Sequence, residues 1–340
     1  MIFQNAELHN VSALTEAPDG TYIIHRFTLS VEKILSEGGQ RANRVSTGVE
    51  LRFRMLDDSV KIRLVGSDDK TATVRAYIYH GSILGGWYEY SKAIRGGEIC
   101  ELVVNRPKHP DALRKITAIE SLPYKSDLIR VIFDSASLRL ASIDGAHEPP
   151  HSGDTPPTTY LAYGSSITHG SIGIGTPNFW PSQIATHFGT DVLNRGLAGS
   201  CRLEAEVAEE IAEMGARGEW HFATLCMGIN ILQTPEAEIT ALVRRMISTV
   251  AGKNPDKHIF CISPFYSSAD LKGDPAPDLW RRVIEACVRE YNSPFVHYVN
   301  GLAALNSPRG LSADLVHPSP IGVNSIALHL ISEISKYISV

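Results

Sequence analysis

The sequence predicts a mixed α/β chain in two parts. An all-β sandwich of jelly-roll type is expected over residues 1–148, a proline-rich linker over 149–157, and a doubly wound α/β layer with a parallel sheet over 158–340. Three observations carry this reading. The first half alternates apolar and polar residues at a period of two, in short runs separated by turn residues. Glu148 to Pro157 contains Pro149, Pro150, Pro156 and Pro157, a density that continues neither helix nor strand. Beyond it, apolar strand-like runs alternate with segments of helical period.

At 340 residues the chain is long for a single core. Its 43% hydrophobic and 20% charged residues are those of a globular protein. A formal charge of −5 and the lack of any dense basic run argue against a nucleic-acid partner. No segment is long and apolar enough to span a bilayer, so no membrane partner is expected. The N-terminal Met1 to Glu7 lacks the basic and apolar segments of a secretory signal, which points to the cytoplasm. Cys100, Cys201, Cys226, Cys261 and Cys287 are odd in number and show no C-x-x-C spacing. Buried free thiols account for them most simply. The oligomeric state is left open, a homo-oligomer included.

In the first half, Leu51 to Met55, Lys61 to Leu64 and Val74 to Ile78 alternate, and Leu128 to Phe133 and Leu138 to Ile143 read as further short strands. Such alternation places one face in a core and one in solvent. Turn signals divide the runs at Asp57–Ser59, Gly66–Asp69, Gly85-Gly86 and Gly96-Gly97. Ser36 to Arg44, rich in glycine and polar residues, reads as an exposed loop. Trp87, Tyr88 and Tyr90 cluster just after Gly85-Gly86. Aromatic faces can stack on sugar rings, but the plainer expectation is packing in the sandwich or at a domain interface.

The second half reads as strands at Thr158–Tyr163, Asp191–Leu197, Phe222–Met227, His258–Pro264 and Phe295–Val299. Helices are expected around Trp180–Phe188, Leu203–Met214, Pro235–Val250, Leu279–Tyr291 and Gly322–Ile338. In a parallel sheet of this kind, ligands bind at the carboxyl ends of the strands. Ser166 follows the first strand, Gly199 the second and Asn230 the third, while Asp314 and His317 precede the last helix. All should share one edge.

Ser166 is the candidate nucleophile, although Gly164-Ser165-Ser166 alone could be a turn after a strand. Serine needs a base, commonly histidine, and the imidazole needs an acceptor to hold its other nitrogen. His317 and Asp314 can supply these in Asp314-Leu315-Val316-His317-Pro318, whose plainer reading is a capped helix start. Oxyanion donors are the backbone N–H groups of Ser166 and Gly199 and the side-chain amide of Asn230. Taken singly, Asn230 and Gly199 read equally as a turn residue and a helix-entry residue. Ser165, His169 and Trp180 are candidates for lining a substrate pocket, with core packing the competing reading for Trp180. His169 has no neighbouring carboxylate in sequence, so His317 is the preferred base.

No cofactor is called for. The histidines show no metal-ligand spacing, so no metal is expected. Gly170 to Gly175 is glycine-rich but lacks the lysine of a phosphate loop.

The order Gly-x-Ser, Gly, Gly-x-Asn and Asp-x-x-His-Pro resembles the SGNH (GDSL-type) hydrolase family over about Thr158 to Val340. Ser165 stands where the family carries Asp, and Ile231 where Asp follows the third-block Asn; Ser166, Gly199, Asn230 and His317 match the four residues of the family's name. The resemblance extends to the branch with an N-terminal β-sandwich, found among carbohydrate esterases and one group of acyltransferases. It implies a serine esterase acting on a small-molecule or oligosaccharide ester, with short-chain and in particular acetyl groups expected. An acyltransferase using the same residues is the alternative. A catalytically silent binding protein is disfavoured by the intact Ser166, His317 and Asp314.

Overall fold

The computed structural model describes residues 1–134, 136–170 and 175–339. Residues 171–174 of the glycine-rich stretch therefore lie outside the described residues. The chain forms two compact units. The first comprises residues 1–29, 43–157 and 189–191, the second 30–42, 158–188 and 192–340.

The first unit is a sandwich of two antiparallel sheets. One sheet runs in the order Ile2–Phe3, Ala6–His9, Glu50–Met55, Leu128–Phe133, Thr73–His80, Ile83–Leu84, with His147–Glu148 and Ser91–Arg95 paired alongside. The other runs Ile99–Asn105, Ser59–Gly66, Leu138–Asp144, Tyr22–His25, Ala13–Glu16. Alternate residues meet between them: Leu51, Phe53, Val131 and Phe133 from one sheet join Ile62, Leu64, Leu102 and Leu140 from the other. Ile99–Asn105 shows the period of two plainly, with Cys100, Leu102 and Val104 buried and the residues between them exposed.

Three features depart from the sequence reading. Residues 36–44 are largely helical, within Glu37–Asn43. A Cβ on Gly38 would lie 2.9 Å from Ser200 Oγ, so the glycines that suggested a loop instead permit close packing. Pro110–Ile119 is a helix opened by proline, a signal that the period-two reading passed over. Trp87 and Tyr88, expected to pack, are 81% and 92% exposed.

The expected solvated face of Leu51–Met55 is also buried in part. Glu50, Arg52 and Arg130 are each at most 7% exposed, and they pair with one another and with Asp191. Arg52 makes a two-pronged contact with Asp191, both bonds 2.7 Å, and bonds Glu50 at 2.8 Å. Arg130 holds both oxygens of Glu50 and lies 3.5 Å above the Tyr124 ring, whose hydroxyl donates to Asp191. Two guanidinium groups thus neutralise two carboxylates, which is what their burial demands. Residues 149–157 form neither helix nor strand, and Asp154 among them is held by Arg54 at 2.9 Å.

The second unit is a five-stranded sheet flanked by helices. Its strands are Thr159–Gly164, Asp191–Gly196, Phe222–Cys226, Ile259–Ile262 and Val296–Val299, arranged spatially as second, first, third, fourth, fifth. The pairings of the first with the third, third with the fourth and fourth with the fifth are parallel. Phe222–Cys226 is buried throughout, as a strand covered on both faces must be. Tyr160 and Ala162 pack with the helices Trp180–Phe188 and Pro320–Ile334 through Ile184, Phe188, Ile326 and Leu330. Leu161 and Tyr163 alternate to the opposite face. All five cysteines are buried and free. No helix among the described residues is long and apolar enough to cross a membrane.

Candidate active site

The strand order reverses between the first and third strands, and the crevice beyond their carboxyl ends is the ligand position of such a sheet. Thr159–Gly164 leads directly into the short helix Ser166–His169. Ser165 caps that helix, its Oγ accepting from Ile167 N at 3.3 Å. The residue that departs from the family's Asp therefore retains a capping oxygen without the charge. Behind the helix, Trp180 is fully buried and donates from Nε1 to Ile167 O at 2.9 Å. A side chain on Gly196 would collide with the backbone of His169, so glycine lets the second strand seat this helix. Ser166 is consequently held at the first helical position, where its N–H has no intrahelical partner.

The helix Pro320–Ile334 is entered through a tight loop that carries Asp314 and His317. Ser312 N donates to His317 O at 2.8 Å and Leu315 N to Ser312 O at 3.0 Å, closing the loop on itself. Leu315 sits at φ +59°, a left-handed conformation costly for leucine. Ser268 N fixes it by donating to Leu315 O at 2.7 Å.

This loop and the Ser166 helix meet. His317 Nε2 lies 2.8 Å from Ser166 Oγ, and His317 Nδ1 lies 2.7 Å from Asp314 Oδ2. An ionised carboxylate only accepts, so Nδ1 carries the ring proton and Nε2 accepts from the serine hydroxyl. Asp314 Oδ1 receives three further bonds, from Ser312 Oγ at 2.8 Å and from the N–H groups of Val316 and His317 at 2.9 Å. Burial pushes the Asp314 pKa up, but these hydrogen bonds, the one from the His317 ring foremost, hold it well below the usual carboxylate range. The carboxylate is thus a fixed acceptor.

Asn230 lies in a 3-10 turn, Ile229–Ile231, just past the third strand. Its Oδ1 accepts from Cys201 N at 3.0 Å. A backbone N–H can only donate, so the amide oxygen is the end facing Cys201 and the NH₂ end is left for another partner. Gly228 makes the turn possible: it sits at φ +107°, and a Cβ there would lie 2.8 Å from the Trp280 ring. Gly199, at φ +67°, is exposed in the turn that Ser200 N closes onto Leu197 O.

The structure therefore joins Ser166, His317 and Asp314 in one hydrogen-bonded chain, and leaves Gly199 and Asn230 in the loops after the second and third strands. Ser165 and His169 are 0% and 3% exposed. Ser165 and Trp180 are engaged in holding the Ser166 helix. Sequence reasoning missed Ser312 and Cys201. A serine two residues before Asp314 is a local turn signal that could have been read; Cys201 acts through its backbone and left no signal.

Residues 162–323 match the GDSL-like Lipase/Acylhydrolase family. The chain carries a GDSL-like acylhydrolase domain. That family is one of carboxylic ester hydrolases, the class in which this enzyme falls. No curated protein matches the chain. Among solved structures, a salicylyl-acyltransferase from a tetracycline biosynthetic pathway is similar at TM-score 0.76 and 16% identity, over 98% of this chain and 95% of that one. A family two carbohydrate esterase from Cellvibrio japonicus is similar at TM-score 0.66 and 11% identity, over 98% and 95% of the two chains. A family two carbohydrate esterase from Clostridium thermocellum, in complex with cellohexaose, is similar at TM-score 0.59 and 14% identity, over 86% and 92%. These likenesses extend through the sandwich, so the chain shares its two-part layout with the two carbohydrate esterases and the acyltransferase.

Proposed function

We propose that the protein is a serine esterase that removes short acyl groups, acetyl foremost, from carbohydrate esters. The observation that carries this reading is the chain from Ser166 Oγ through His317 to Asp314, with bonds of 2.8 and 2.7 Å. In the proposed reaction, Ser166 Oγ attacks the ester carbonyl carbon while His317 Nε2 takes the serine proton. Asp314 holds the imidazolium that forms. The oxyanion rests on the N–H groups of Ser166 and Gly199 and on the Asn230 amide. The carbonyl re-forms, the bond to the alcohol oxygen breaks, and His317 protonates the departing alcohol. Water then attacks the Ser166 ester, giving its proton to His317. Collapse releases the acid and returns the proton to Ser166. The carbohydrate esterases of similar fold support the substrate class.

A second reading has the same acyl-enzyme captured by an alcohol in place of water. It is favoured by the likeness to the acyltransferase over nearly the whole of both chains. Hydrolysis of nitrophenyl esters from acetate to decanoate, and of acetylated xylo-oligosaccharides, tests the first reading. Activity should be highest on acetyl esters and absent in Ser166→Ala. Full activity in that variant would sink the assignment. Adding an alcohol acceptor separates the two readings: transfer outrunning hydrolysis in water selects the acyltransferase.

A further inference from the structure

The aromatic pair Trp87 and Tyr88 is not accounted for by ester chemistry. Both lie in the first unit, on the turn between the strands Ile83–Leu84 and Ser91–Arg95. The turn is tightly built. Glu89 N and Tyr90 N both donate to Gly86 O, at 2.8 and 2.9 Å. Gly85 N donates to Ile78 O at 2.8 Å, and Ile78 N to Tyr90 O at 2.9 Å, so both ends are tied to one residue of the strand Thr73–His80. Two large aromatics, 81% and 92% exposed, are thus carried on a braced turn. Single exposed apolar residues are ordinary; two adjacent aromatics held at a cavity are not.

Trp87 and Tyr88 line a cavity of about 270 Å³ together with His80, Glu89, Lys108 and His109. His80 is 4% exposed, and its Nδ1 is buried without a hydrogen-bond partner. A buried ring nitrogen left unpaired is costly unless a ligand or water completes it. Burial also lowers the His80 pKa, favouring a neutral imidazole that both donates and accepts. Glu89 is half-buried and Lys108 and His109 are exposed; none of the three is held by an ion pair or side-chain hydrogen bond among the described residues. Acidic and basic groups are both represented, so the cavity does not select an anion or a cation. Aromatic faces beside hydroxyl-binding polar groups match a neutral ligand with an apolar ring face and many hydroxyls.

We propose that this cavity is a carbohydrate-binding site of the first unit, in which a sugar ring stacks on Trp87 and Tyr88 and is hydrogen-bonded by His80 and Glu89. It does not rest on the esterase reading, because the sugar recognised there needs no ester.

The protein carries its own reporter. It has four tryptophans, and Trp180, Trp220 and Trp280 are each 0% exposed. Solvent-sensitive tryptophan emission therefore comes from Trp87. The full-length protein is titrated with xylotetraose and with cellotetraose, neither acetylated. At least one should shift the emission to the blue and protect it from acrylamide. Calorimetry should show the same binding weakened about tenfold or more in Trp87→Ala and in Tyr88→Ala. Both variants should melt with the parent, since the side chains are exposed, and should hydrolyse nitrophenyl acetate at the parent rate. The proposal is overturned if neither sugar changes the emission, or if binding survives unchanged in both variants. It also fails if sedimentation shows the parent self-associating and the variants monomeric, for then a second copy occupies the patch.

Discussion

At Asp314 the loop concentrates four hydrogen bonds on one carboxylate, but they do not contribute equally to the proposed reaction. The bond to His317 Nδ1 sets the ring tautomer, whereas the Ser312 hydroxyl only steadies the carboxylate. Asp314→Asn can present its NH₂ to Nδ1, leaving Nε2 to carry the proton and unable to accept one from Ser166. The expected loss in kcat is about 10⁴-fold, with KM little changed. Ser312→Ala keeps the tautomer and should cost about tenfold or less. Equal losses in the two variants would mean that the tautomer is not what Asp314 supplies. Because the Asp314 carboxylate is held well below the usual carboxylate range, protonation of Asp314 should not limit activity in mildly acid solution. Asn230 tests the other half of the site. Its amide oxygen is held by Cys201 N, so Asn230→Ala removes the proposed oxyanion donor without disturbing a packed core. Activity should fall about 10²- to 10³-fold while the melting temperature stays at the parent value; a collapse of stability would point to a packing role instead. Of these residues, Asp314 and His317 were legible because three positions of separation bring them together within one turn. Ser166 was legible because a strand ending in small residues presents its hydroxyl at an edge. The orientation of Asn230 was not, since its partner is a backbone N–H 29 positions away, and backbone groups carry no residue code.

Elements that bury one face against a like partner were readable, and elements defined by what covers them were not. The strand Phe222–Cys226 and the helix Pro320–Ile334 announce themselves through continuous or periodic apolar residues. The helix Glu37–Asn43 does not: its glycines are poor helix formers, and close packing against Ser200 outweighs propensity. Leu51–Met55 misled in a different way, because alternation with Arg reads as a wet face. Here the charges are buried and satisfy one another. That distinction has a measurable consequence. Arg52→Met leaves Asp191 without its two-pronged partner and should cost about 3–5 kcal/mol in the denaturant unfolding of the parent protein. Arg244→Ala breaks a pair with Glu290 in which both side chains are more than half exposed, and should cost about 1 kcal/mol or less. Comparable costs would show that the Arg52 cluster is not desolvated.

Across the whole molecule, 37 acidic residues against 32 Lys and Arg give a net charge of −5, and lowering the pH carries it through zero near pH 6.2 into a growing positive charge. Self-repulsion then destabilises any folded protein of this kind, so acid sensitivity alone would say nothing about the buried cluster. Glu50 supplies the discriminating term. Burial pushes its pKa up, but Arg130 and Arg52 more than offset this and hold it at about 2, against an ordinary value of 4.5. A depressed carboxylate contributes stability that is complete above its unfolded pKa and is lost as the pH falls through the folded one, because the unfolded chain takes up the proton first. The window is therefore about pH 4.5 down to about pH 2. Asp191, held low mainly by Arg52 against its own burial, acts in the same direction. Thermal unfolding of the parent protein and of Glu50→Gln, followed by circular dichroism from pH 7 to pH 3, separates the specific term from the general one. Glu50→Gln should melt well below the parent at pH 7, where it lacks the paired charge. The gap should hold to about pH 5 and then narrow as the parent loses its advantage. General repulsion acts on both proteins and would lower both curves in parallel. A gap that stayed constant to pH 3 would thus exclude Glu50 as a source of the acid sensitivity.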